Sequence, residues 1–360
     1  MESVKKIKVL YNGEIVGYLG ELADSQIGFQ YDENWVKNGF SISPISLPLS
    51  NEVFIAKTDY FEGLFGVFYD SLPDGWGEFV IRRKLLKDGI DYGKLSPLTK
   101  LSLINDNGLG GLNYLPTVNY SDSEYKDLDL DKYAKSVSEL LNDSDSVPLD
   151  ELFRLGGSSG GARPKAHIKD WIIKFPTSYD PKNIGEQEFE ANKLAKECGI
   201  ELPEYKLFES KICSGYFGSK RFDRRDGKRV HMISLAAVLE TTHRIPNMDY
   251  IHLFKVIKYM CREEDLYEAF RRMCFNVLYK NKDDHSKNFS FIYDESIKRY
   301  RLSPAYDLTK TPQKLEHEMT VNGNGNPNEK DLLEVAKIMG LTLGKCKDIL
   351  FKCEKVLEQS

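Results

Sequence analysis

The chain has 360 residues, 41% of them hydrophobic, with 50 basic and 55 acidic side chains and a net charge of −5. That is enough apolar material for two or three buried cores. It offers no uninterrupted apolar run long enough to span a membrane, and no basic arm of the kind that binds DNA directly.

The opening MESVKKIKVLYNGEIV has lysines but no apolar stretch followed by a small-residue cleavage site, so no secretory signal and a cytoplasmic location are expected. Residues 7–22 alternate around Asn12-Gly13, which predicts a hairpin. The stretch containing Pro44 and Pro48 reads as extended chain or loop. FYDSLPDGWGEFVIRRKLL (68–86) reads as a loop entering a helix, with Trp76 as core packing, and GLGGLNYLP (108–116) as a glycine turn. Between Thr117 and Asp150 stand nine acidic and three basic residues. A helix is expected there near 130–142, then a linker, NDSDSVPLD.

Residues 151–176 read as strand, glycine–serine loop, strand, turn and strand. In 186–200, Ala191, Leu194, Ala195 and Cys198 fall at helical spacing and Gly199 stops the helix. Residues 205–223 read as two strands. From about 230 the pattern predicts helices at 249–262, 264–279, 327–340 and 343–358, with Asn326-Pro327 starting the third and Gly340 ending it. Six scattered cysteines without a CxxC read as buried free thiols, and six histidines show no metal-ligand spacing.

The chemistry concentrates in two places. NKDDHSKNFS (281–290) follows a helix with an apolar stripe and precedes a short hairpin and PAYDLT. Asp283, Asn288 five residues on, and Asp307 beyond the hairpin form the set that kinase-type phosphoryl transfer requires. One carboxylate orients a hydroxyl proton; an amide oxygen and a second carboxylate hold magnesium against phosphates. Lys287 can touch a γ-phosphate. His285 is read either as a hydrogen-bonded loop residue or as a member of the catalytic set. Asp284 is assigned no role.

The second place is LGGSSGGARPKAHIKDWIIKF (155–175). Gly157, Ser158, Ser159, Gly160, Gly161 and Ala162 form a loop whose amides can approach phosphate oxygens. It is neither a Walker A loop, since Ala162-Arg163 follow the last glycine, nor a GxGxxG fingerprint. Lys174 lies in an apolar strand and needs an anionic partner; Glu188 on the next helix is the natural one. These parts occur in the order of a kinase domain, so the fold class is α+β, protein-kinase-like and two-lobed. The expected segments are an accessory region at 1–120, an acidic helix and linker at 121–150, a β-rich nucleotide-binding lobe at 151–228, and an all-helical catalytic lobe at 229–360.

On YNGEIVGYLG, DSLPDGWGE, GGSSGGARPK, IIKFP, RFDRRDG, NKDDHSKNFS and SPAYDL, the chain resembles the HipA family of bacterial serine/threonine kinases, the toxins of type II toxin–antitoxin pairs. The resemblance implies ATP and Mg2+ as cofactors, Asp283 as catalytic aspartate, Asn288 and Asp307 as magnesium ligands, and Lys174 with Glu188 as the phosphate-binding pair. It also implies that Lys220, Arg221 and Phe222 form the adenine hinge. Ser158, with Ser159 as the other candidate, is the implied autophosphorylation site; a phosphate there would repel the ATP phosphates, and on charge grounds Arg163 or the Arg221–Arg229 cluster is expected to receive it. Implied partners are a HipB-like helix-turn-helix antitoxin, through which DNA is contacted, and a protein substrate such as an aminoacyl-tRNA synthetase; no membrane is involved. A stand-alone regulator or delivered effector of the same fold, and a non-catalytic corepressor module, remain the alternative readings.

Overall fold

The computed structural model describes residues 3–23, 26–57, 59–104, 108–117, 128–142, 144 and 147–359. Two compact units divide the chain: residues 1–186 with 206–231, and residues 187–205 with 232–360. Among the described residues no helix is long and apolar enough to cross a membrane, and all six cysteines are free.

In the first unit, alternating strands bury one face each. Lys6–Tyr11 and Glu14–Glu21 are joined through Asn12 (φ 48°) and Gly13 (φ 88°), the positive-φ pair that a tight right-twisted hairpin needs. They form the centre of an antiparallel sheet ordered Val53–Ile55, Ile27–Tyr31, Glu14–Glu21, Lys6–Tyr11, Leu112–Leu115. A second sheet is ordered Lys165–Ile168, Trp171–Lys174, Tyr216–Lys220, Tyr205–Phe208.

One expectation changes here. Residues 149–156 are a helix, not the start of a strand. Leu149, Leu152, Phe153 and Gly156 recur at i, i+3, i+4 and i+7, and all four are buried. The helix expected near 130–142 is present as Leu130–Leu141. Its Tyr133, Ala134, Val137 and Leu140 share one core with Leu152 and Phe153, with Ile173, Phe175 and Tyr216 of the second sheet, and with Trp76, Val80 and Ile81 of the helix Gly75–Lys87. The described residues of the expected segments 1–120 and 121–150 thus fall in one unit with 151–186 and 206–228, whereas 187–205 fall in the other. In the acidic segment, residues 118–127, 143 and 145–146 lie outside the described residues.

The second unit carries the four expected helices as Tyr250–Met260, Glu263–Tyr279, Glu329–Ile338 and Leu343–Glu358. Asn328 rather than Asn326-Pro327 starts the third, its side chain accepting from Lys330 N–H at 2.9 Å. The unit is not all-helical. Met232–Ser234, Ser290–Asp294 and Arg299–Leu302 make an antiparallel sheet, because the hairpin after the 281–290 loop recruits a third strand.

Candidate functional site

The glycine–serine loop begins where the helix Leu149–Gly156 stops. Gly157 N–H still bonds the Phe153 carbonyl at 2.8 Å. Ser159 then folds back, donating its N–H (3.1 Å) and its hydroxyl (2.6 Å) to the Gly156 carbonyl. Ser158 is 6% exposed. From the other side the loop meets the turn Asp74-Gly75-Trp76-Gly77. Gly161, at φ 84°, donates its N–H to Asp74 Oδ1, and its carbonyl accepts from Trp76 N–H at 3.0 Å. Trp76 Nε1 reaches the Lys165 carbonyl at 3.1 Å, and Lys165 Nζ returns to the Gly160 carbonyl. A Cβ on Gly75 would stand 2.6 Å from the Gly161 carbonyl oxygen, and one on Gly77 would overlap the Ser159 carbonyl.

Lys174 ends the strand Trp171–Lys174, and its cross-strand partner in register is Lys165. Like charges set opposite each other across an antiparallel pair are unfavourable, so this face of the sheet favours an anion. Lys174 Nζ also lies 5.9 Å from the Phe217 ring. Glu188 is buried on the helix Ile184–Glu197 and belongs to the second unit.

Lys220 and Phe222 flank a residue whose side chain has another task. Arg221 is buried and grips Asp223 through Nε (2.9 Å) and Nη2 (2.7 Å), while Nη2 also reaches the Gly108 carbonyl at 2.8 Å. Burial alone would raise the Asp223 pKa, but Arg221 and then Arg224 outweigh it and hold the carboxyl well below its usual range. Arg224 bonds the Gly108 and Gly110 carbonyls at 2.7 and 2.9 Å. Of the arginines expected to meet a nucleotide or a phosphoserine, Arg221 and Arg224 tie RFDRRDG to the carbonyls of Gly108 and Gly110. An arginine buried beside a carboxylate is a structural pair, and its guanidinium has no face left to offer. Arg163 lies 3.5 Å from Asp180.

In the second unit the helix Glu263–Tyr279 closes with Lys280 in the left-handed conformation, φ 61°. The 281–290 loop is then tied down by side chains. Asp284, 1% exposed, accepts from Tyr250 Oη (2.8 Å), His317 Nδ1 (2.8 Å) and Glu318 N–H (3.0 Å). Tyr250 also accepts from Asn276 Nδ2 at 3.0 Å, and Asn276 Oδ1 from Asn281 Nδ2 at 3.0 Å. Burial, and then the Asp284 charge, push the Tyr250 hydroxyl well above its ordinary pKa.

Asp283 is its neighbour's opposite: its side chain is 40% exposed, with Oδ1 2.6 Å from Lys314 Nζ, which also contacts Glu318 at 2.5 Å. Burial works against the Lys314 charge, but hydrogen bonds from Asp283 and Glu318 overcome it and raise its pKa. Asn288 gives its amide nitrogen to the Asp283 carbonyl at 2.7 Å, so the amide oxygen is the atom of this side chain that could face a cation. Asp307 adopts φ 54°. Just before it, Tyr306 Oη donates to the Lys287 carbonyl at 2.6 Å and pairs with Ser290 Oγ at 2.6 Å, joining the segment after the hairpin to the loop. The His285 ring lies 5.2 Å from that of His243, and its Nδ1 is buried with no hydrogen bond.

Among the described residues no group of three or more His, Cys, Asp or Glu is arranged to hold a metal. One amide oxygen and one carboxylate do suit Mg2+, which binds through few protein ligands when phosphates and water complete its shell. Sequence reasoning missed Asp74, Lys165, Asp284 and Lys314. Asp284 stood in the quoted motif, and a buried partner for it could have been sought; Lys314 has no local signal, because the fold alone brings it to Asp283.

Comparison with known proteins adds the following. The HipA-like C-terminal domain matches residues 157–360, and the HipA N-terminal domain matches residues 7–115. The Sinorhizobium fredii protein "Putative kinase Y4dM" is 31% identical over 173 residues, and a Haemophilus influenzae protein named "Putative kinase" is 25% identical over 237. These matches take in 44% and 59% of the present chain, and 42% and 66% of the relatives' own lengths. A solved structure of HipA from Shewanella oneidensis MR-1, in complex with HipB and operator DNA, has the same α+β, kinase-like fold: TM-score 0.73 over 98% of this chain and 89% of that one, at 18% identity. With the N-terminal and C-terminal domains both matched in order, the chain belongs to the HipA family.

Proposed function

We propose that the chain is an ATP- and Mg2+-dependent protein serine/threonine kinase. Asp283 accepts the proton of the substrate hydroxyl as that oxygen forms a bond to the γ-phosphorus; the bond from γ-phosphorus to the bridging oxygen breaks, and ADP leaves. Asn288 and Asp307 would hold Mg2+, which neutralises phosphate charge when bound. Lys174 and the 157–162 amides engage the phosphates, Glu188 orients Lys174, and Lys287 meets charge developing on the transferred group. Lys220 and Phe222 serve the adenine through the backbone of their strand end. His285 acts as a loop residue in support of Asp283.

The observation that carries this reading is the division of labour in NKDDHSKNFS. Asp284 is buried and bonded three ways, which fixes the loop, while Asp283 beside it stays half-exposed and Asn288 is oriented by the Asp283 carbonyl. A loop that serves only as a turn has no need of one anchored and one presented carboxylate. The test is Asp283→Asn assayed by γ-phosphate transfer to protein and by ATP titration. The expected result is a loss of transfer of about a thousandfold or more with ATP binding retained. Undiminished transfer would remove Asp283 from the chemistry.

Further parts of the reading rest on the family. The kinase acts as the toxin of a toxin–antitoxin pair, inhibiting translation by phosphorylating a protein such as an aminoacyl-tRNA synthetase, and a HipB-like partner restrains it and carries the DNA contact. Support for that partner comes from the complex in which the Shewanella HipA was solved. Autophosphorylation falls on Ser158, with Ser159 as the lesser candidate. Expression of the wild-type chain arrests growth and Lys174→Ala relieves it; equal arrest by both would make toxicity independent of ATP.

A further inference from the structure

Asp74 caps the helix Gly75–Lys87, yet its side chain makes no cap hydrogen bond to that helix. Forgoing that cap leaves the first turn of the helix without its usual side-chain acceptor. The carboxylate goes instead to Gly161 N–H, 87 residues away. The rest of the turn follows it. Trp76 N–H takes the Gly161 carbonyl, Trp76 Nε1 takes the Lys165 carbonyl, and Gly75 and Gly77 lie against the Gly161 and Ser159 carbonyls where a side chain would not fit. Both main-chain groups of Gly161 are therefore held by one turn. Lys165 holds the adjoining Gly160 carbonyl from the strand side.

We propose that the Asp74-Gly75-Trp76-Gly77 turn is a latch that positions the glycine–serine loop for the nucleotide phosphates, with Asp74 as its positioning residue. This rests on reading 157–162 as the phosphate loop. A loop rich in glycine has many conformations to lose when it binds an anion. Contacts that fix 159–161 beforehand remove that loss from the binding step. Asp74 acts through the loop backbone. The latch is made by the region matched to the N-terminal domain, which gives that region a task in nucleotide binding.

The test uses the full chain with Asp74→Ala, Asp74→Asn and Gly77→Ala. Without nucleotide, hydrogen exchange of the 157–163 peptide should speed up in Asp74→Ala and Gly77→Ala, and less in Asp74→Asn, which keeps an oxygen acceptor. With ATP, Asp74→Ala should raise the KM for ATP about tenfold, as expected for one lost hydrogen bond to a charged acceptor. Its kcat should stay within about twofold, the mark of lost ground-state positioning, and Asp74→Asn should recover most of the KM. If Gly77→Ala does not fold, Asp74→Ala alone carries the test. Unchanged exchange at 157–163 in Asp74→Ala overturns the latch, whatever the activity. Tighter ATP binding in that variant overturns it too, and makes Asp74 an occluding group. A wild-type chain that transfers no phosphate would sink the kinase reading while the exchange experiment still judges the latch.

Discussion

The loops at 157–162 and 281–290 are built on opposite plans. The first offers main chain, and most of what fixes it comes from far away in sequence, from Asp74 and Trp76, with Lys165 adding a local tie. The second offers side chains, and its fixings are partly its own: Asp284 and Asn281 anchor the stretch that presents Asp283 and Asn288. A backbone-built loop announces itself by its glycines and hides its supports. A side-chain-built loop shows its supports openly but disguises them as chemistry, since two adjacent aspartates look alike until one proves buried.

The contrast can be broken most directly at Asp284. If it is the anchor of its loop, Asp284→Ala leaves Tyr250, His317 and the Glu318 amide without their shared acceptor, and stability should fall by about 3 kcal/mol or more. Chemical denaturation would measure this, and a loss below about 1 kcal/mol would make Asp284 dispensable to the loop.

A second probe separates the units by pH. His231, in the first unit, is buried with Nε2 2.8 Å from the Ile42 carbonyl, and burial lowers its pKa to about 4. The unfolded chain takes up a proton near the ordinary value, about pH 6.5, which the folded chain refuses until about pH 4. Stability is therefore fully present above the unfolded value and declines as pH falls through that window, by about 3 kcal/mol in total. His231→Gln should flatten this decline, and an unchanged acid profile would count against it.

Lys314 gives a smaller effect with a cleaner readout. Lys314→Met should lower kcat about tenfold by freeing the Asp283 carboxylate to turn, and leave the KM for ATP unchanged. Because its pKa is raised, the pair's contribution to stability is complete below the ordinary lysine value and fades as pH climbs beyond it; at partial exposure that contribution is below about 1 kcal/mol. The mildest change is Ser159→Ala, which removes one buried hydroxyl bond and should cost about 1 kcal/mol. In an intact-mass assay with ATP and magnesium it should leave phosphate incorporation in place, whereas Ser158→Ala should abolish it.

Much of the fold was legible because its signals are local. Asn12-Gly13 specifies a tight hairpin by itself, and the stripes of the last four helices repeat often enough to be read. The helix at 149–156 was misread because the glycine–serine run behind it suggests strand–loop–strand. Its apolar spacing was present, though over barely two turns. For the site, residue chemistry drew attention to Asp283, Asn288, Asp307 and Lys174. Arg221 shows the limit of that approach: a basic cluster looks like a phosphate receiver until a buried carboxylate, Asp223, is found inside it. Asp74 and Lys314 could not be found at all, since their meaning lies in contacts 87 and 31 residues distant.

Asp307 sits at φ 54°, where most side chains press against the following carbonyl at a cost of about 1–2 kcal/mol, and where Asp and Asn are the tolerated exceptions besides glycine. The residue alphabet at this position is thus narrowed once by the backbone and, under the proposed Mg2+ role, a second time by the carboxylate, and aspartate alone meets both demands. Glutamate would keep the charge and strain the chain; glycine would relax the chain and lose the ligand. Asparagine isolates the charge at unchanged backbone geometry, so Asp307→Asn tests cation binding where alanine would confound it with folding.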